Sequence, residues 1–84
     1  MTPSPDPQDL ADLNDLLAAL EDDPDTREGL MREHIEAART YLTLAMPEEY
    51  RLALRLAASA LGDVPDTALR DRITQFLQKQ LKHP

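Results

Sequence analysis

An all-α fold, a four-helix bundle built from two tandem αα-hairpins, follows from three features of the chain. The first is the phrase Asp-x-Pro-Asp-Thr, which stands at residues 22–26 and again at 63–67, each time between two runs of helical periodicity. A proline flanked by capping residues marks one helix ending and the next beginning. The second is composition: 15 Leu and 11 Ala stand against two Ile and one Val, which favours straight-chain helix formers over the β-branched residues of strands. The third is spacing, since apolar residues recur three and four apart through each run.

Taken in order, Pro3, Pro5 and Pro7 interleave with small polar residues. Residues 1–5 are therefore expected to be a disordered, extended tail, and residues 6–82 a single helical domain. Asp6 is placed to cap the first helix, on which Leu10, Leu13, Leu16, Leu17 and Leu20 share an arc of about 120°. The second helix is predicted to start after Asp23-Pro24, or one turn later at Asp25 with Glu28 completing a capping box. It should be the longest, burying Leu30, Met31, Ile35, Ala38, Tyr41, Leu42 and Ala45 and keeping Arg32, Glu36, Arg39 and Thr43 wet. Met46 ends it, because the residue before a proline avoids the α region, and Pro47, Glu48 and Glu49 suit a new helix start.

The third helix has only a narrow polar stripe of Arg51, Arg55 and Ser59. Tyr50, Ala53, Leu54, Ala57 and Leu61 face one way, while Leu52, Leu56 and Ala60 widen the apolar arc to about 200°. One hairpin cannot cover that much. Gly62 stands where a left-handed C-cap is expected, and residues 63–67 lead into a fourth helix burying Leu69, Ile73, Phe76, Leu77 and Leu81. Lys79 and Lys82 suit its C-terminal dipole, and His83-Pro84 should fray. Beyond the repeated phrase the halves correspond weakly, and shared capping chemistry explains the phrase as well as duplication does.

With no Cys the chain has neither a disulfide framework nor a thiolate nucleophile. Its start lacks the basic and apolar parts of a signal peptide, so the cytoplasm is the expected compartment. Its longest apolar run, over residues 52–61, is broken by Arg55 and Ser59 and is too short for a membrane span. The net charge of −7 arises in residues 1–28, which hold nine acids and one base. That acidic front repels phosphate backbones and could attract a basic partner, but a solvated helix face is the commoner explanation of such charge.

Chemistry is sparse. His34 falls within the apolar arc of the second helix, which makes it a candidate pH-sensitive core residue. No second His or acid stands at metal-ligand spacing from it, and no metal or cofactor is expected. No glycine-rich phosphate loop or Ser-His-acid order is present, so the chain is read as non-enzymatic; an enzyme with a pocket around His34 is the least favoured alternative. Arg70, Arg72, Gln75 and Lys79 give the fourth helix a basic, amide-rich character and support the alternative of a DNA-binding regulator. The favoured reading is a small interaction or adaptor domain. It would form a homodimer, or bind a protein partner, through Leu52, Leu56 and Ala60 on the third helix.

Overall fold

The computed structural model describes residues 6–82; the expected N-terminal tail and the fraying end lie outside them. Four helices follow in order: α1 (Pro7–Asp22), α2 (Leu30–Thr43), α3 (Pro47–Ser59) and α4 (Thr67–Leu81), with a short 3-10 turn at Leu61–Asp63. Each helix packs on its two neighbours in the cycle α1, α2, α3, α4 and back to α1. Arg32 near Glu21, and Arg39 near Asn14, run α2 antiparallel to α1. The bundle is therefore an up-down-up-down ring.

The core follows most of the positions that the spacing marks out, although Leu30 and Ala45, expected on the buried face of the second helix, are exposed. Leu13, Leu16, Leu17 and Leu20 come from α1, and Met31, Ile35 and Ala38 from α2. From α3 come Tyr50, Ala53, Leu54 and Ala57, and from α4 Leu69, Ile73, Phe76 and Leu77. The most extensive packing is not within either expected hairpin but between α2 and α3. Ala38, Ala53, Ala57 and Ala60 are buried on and just after these helices, and small side chains let helix axes approach closely.

The two copies of the repeated phrase adopt different structures. In the second, Asp66 caps α4 by accepting from the Leu69 amide at 3.2 Å, as Asp6 caps α1 from the Gln8 amide at 2.9 Å. In the first, no helix starts at residue 24 or 25. The Asp23 carboxylate accepts from the Asp25 amide at 2.9 Å, and the buried Thr26 hydroxyl donates to the Leu20 carbonyl at 2.7 Å. That bond satisfies a carbonyl at the end of α1 and folds residues 23–29 into a turn. α2 consequently begins only at Leu30, with Gly29 as an N-cap lacking a side-chain bond. At 14 residues it is shorter than the 16-residue α1, so it is not the longest helix.

The left-handed position is also elsewhere than expected. Gly62 is not in the left-handed region and lies in the 3-10 turn; Ala45, with φ of 55°, is the one non-glycine residue with positive φ among those described. Ala45 follows α2 in a Schellman arrangement, its amide donating to the Leu42 carbonyl at 3.1 Å and the Met46 amide to the Tyr41 carbonyl at 2.9 Å. The chain reverses within residues 44–46 and enters α3. An alanine in this conformation carries about 1 kcal/mol of strain that glycine lacks. A Cβ added at Gly62 meets nothing within 4 Å. Ala45→Gly and Gly62→Ala should therefore each stabilise the fold, by about 1 and about 0.5 kcal/mol. Urea midpoints measured by circular dichroism test both, and a loss of stability at either position would contradict the backbone description.

Candidate functional site

α2 uses one flank to meet α1. Arg32 approaches Glu21 at 3.6 Å and Glu36 at 3.1 Å, and Arg39 donates to the Asn14 side chain at 3.0 Å. The opposite flank, toward α3, carries Leu30, His34, Ala37, Tyr41 and, just past the helix, Leu44. Their alternating spacing of four and three residues forms one stripe. Leu30 is 55% and Leu44 61% exposed, and His34, Ala37 and Tyr41 are half-buried. On α3 one flank, through Ala58 and then Leu61, borders an apolar groove shared with Thr74, Leu77 and Leu81 of α4. Leu52 (58% exposed) and Leu56 (45%) lie on the flank toward α2.

The two stripes therefore border the α2–α3 seam on its outer side and make one largely apolar face, in which Glu49 of α3 and His34 of α2 are the polar members. Of the three residues expected at the interface, Leu52 and Leu56 stand on this face. Ala60, 7% exposed, is part of the core instead, because it closes the end of α3 where the 3-10 turn folds back. Leu30, Tyr41 and Leu44 are members that sequence reasoning missed. The signal was available in the regular spacing of residues 30 to 44, which makes a stripe too far round the helix to share a core with Ile35.

His34 is not a core residue. The buried centre of α2 runs through Met31, Ile35 and Ala38, about 40–100° round the helix from it, which leaves the imidazole half-buried at the rim beside Leu30 and Tyr41. Among the described residues, no group of three or more His, Cys, Asp or Glu side chains is placed to hold a metal ion.

The residues considered for nucleic acid do not share a face. Arg72, Gln75 and Lys79 border a groove opposite Asp12 and Asp15 of α1, and Lys79 pairs with Asp9 at 3.5 Å. Arg70 is half-buried and points from the far flank of α4, about 160° from Arg72. The acids of α1 thus face much of the basic character of α4.

At the end of the bundle where α1 and α3 begin and α4 ends, the Tyr50 hydroxyl donates to Gln80 Oε1 at 2.9 Å. Gln80 Nε2 in turn donates to Asp9 Oδ1 at 3.0 Å, beside Lys79 Nζ. This chain of polar groups ties three helices together and uses both ends of one amide. Burial pushes the Tyr50 phenol well above the ordinary tyrosine value, and the negative charges of Asp9 and Asp12 add to it. Comparison of the chain with protein-family models, with curated proteins and with solved structures finds no match.

The Tyr50 link makes a test of the local geometry. Tyr50→Phe should cost about 1 kcal/mol at neutral pH, since it leaves Gln80 Oε1 without its donor. The folded phenol keeps its proton to higher pH than the unfolded one, so its contribution is complete below the unfolded value of about 10 and declines as pH rises beyond it. In Tyr50→Phe that part of the alkaline loss should vanish, together with the late rise in absorbance at 295 nm. An alkaline profile identical to that of the parent would show that the phenol is not held in this way.

Proposed function

We propose that this chain is a small non-enzymatic interaction domain that self-associates through the outer face of α3. The observation that supports it is the exposure of Leu52 and Leu56 beside the equally exposed Leu30 and Leu44. Single exposed leucines are ordinary on a protein surface, but four large apolar side chains on adjoining helices form a patch whose burial is favourable. Each of these leucines is already about half withdrawn from water, so covering the rest contributes about 1 kcal/mol, and twofold association counts every one of them twice. Burying this face would also help so short a chain, which hides a smaller fraction of its surface than a larger domain does.

Two substitutions on the same helix separate assembly from folding. Leu56→Asp should keep the helical circular dichroism and weaken association by about a hundred-fold or more, read as a shift from dimer to monomer by light scattering after gel filtration. Leu54→Asp, at a fully buried position, should unfold the chain. A parent protein that stays monomeric at hundreds of micromolar, or a Leu56→Asp variant that unfolds, would contradict this reading.

A further inference from the structure

Resting on that self-association, the charge at the two edges of the apolar face defines how the copies meet. Glu33 borders the face along the outer edge of α2, and Arg55 borders it along the outer edge of α3, with Arg51 one turn away. All three are exposed, and none enters an ion pair among the described residues. The α2 edge thus carries Glu33 and the α3 edge carries Arg51 and Arg55 at mid-height, with Glu48 on the same edge but near the connection, away from the height of Glu33. We infer that the occupant of the face is a second copy of this chain, related by a twofold axis parallel to the helices, so that α2 of each protomer lies antiparallel on α3 of its partner.

Two limiting arrangements, with the axis across the helices or along them, bring this face against itself with closed symmetry. If the axis ran across the helices, α2 would meet its own copy and α3 its own copy. The arginine edges would then oppose each other, and like charges in apposition are unfavourable. If the axis runs along the helices, each Glu33 edge meets an arginine edge. Because α2 and α3 run antiparallel with a three-residue connection, Glu33 and Arg55 lie at nearly the same height on the bundle. The axis along the helices therefore brings Glu33 of one protomer close to the arginine edge of the other, twice per dimer.

Shape agrees with charge. In the middle of the α2 stripe stands Ala37, with Leu30 and Leu44 seven residues to either side. The small residue leaves a shallow site between His34 and Tyr41, with Glu33 and Thr40 on its outer side, and at that height the partner's α3 presents two leucine knobs. The two outer leucines of α2 then close the ends of the contact.

The test is a charge exchange in the full chain, followed by sedimentation equilibrium at low ionic strength. Glu33→Arg and Arg55→Glu should each weaken the dimer by about ten-fold, since each places two like-charge contacts in the interface. Combining them should restore most of the parent affinity, and the parent dimer itself should weaken as salt is raised. The chain has no cysteine, so Glu33→Cys with Arg55→Cys provides a second readout. Oxidised at dimer-forming concentration, the doubly substituted chain should yield a covalent dimer, with peptide mapping linking position 33 to position 55. A dimer that forms but ignores the charge exchange, or one that cross-links 33 to 33 or 55 to 55, would overturn this arrangement and leave self-association standing. A parent chain that is monomeric at every concentration would overturn both.

Discussion

The structure depends on the close antiparallel contact between α2 and α3. Only residues 44–46 separate the two helices, and the reversal is made by a left-handed Ala45 whose amide, with that of Met46, returns to the last turn of α2. So short a connection leaves one outcome, neighbouring helices of opposite direction. Buried alanines then allow these helices to pack more extensively than any other pair. α1 and α4 complete the ring from either side, and among the described residues no further element covers the outer side of the seam.

Polar side chains act at the ends of this arrangement rather than along it. At one end Tyr50, Gln80 and Asp9 link α3, α4 and α1 across 71 residues of sequence. At the other, Thr26 reaches the Leu20 carbonyl and turns the chain after α1. Both devices satisfy groups that would be costly to bury alone. Among the described residues no buried side-chain nitrogen or oxygen lacks a hydrogen-bond partner.

The repeated phrase shows how far local chemistry reaches. Asp66 and Asp25 occupy the same place in it, yet only Asp66 caps a helix. The difference lies outside the phrase. After Thr67 the residues Ala68 and Leu69 continue directly into a helical apolar pattern, whereas after Thr26 come Arg27, Glu28 and Gly29, and the threonine hydroxyl is drawn back to α1. Likewise Gly62 carried the expected signal for a left-handed cap, but it entered a 3-10 turn while Ala45 took the strained position. A residue's tolerance for a conformation does not make the chain adopt it; the direction the next helix must take does.

Composition, capping residues and periodicity determined that this protein is all-α, where three of its four helices begin, and which leucines of α1, α3 and α4 share a face, because those properties depend on neighbours within one or two turns. Periodicity also marked Leu52 and Leu56 as surplus apolar surface on α3. What the tertiary structure decided is which part of a broad apolar arc is covered. On α2 the arc from Leu30 to Ile35 was compatible with a core His34. Contact with α1 through Arg32 and Arg39 instead rotates Met31 and Ile35 inward and leaves Leu30, His34 and Tyr41 at the rim. On α3 the same choice buried Ala60 and exposed Leu56. A helix specifies the angular order of its side chains by its own geometry, but its rotation about its axis is a balance of contacts with every neighbour.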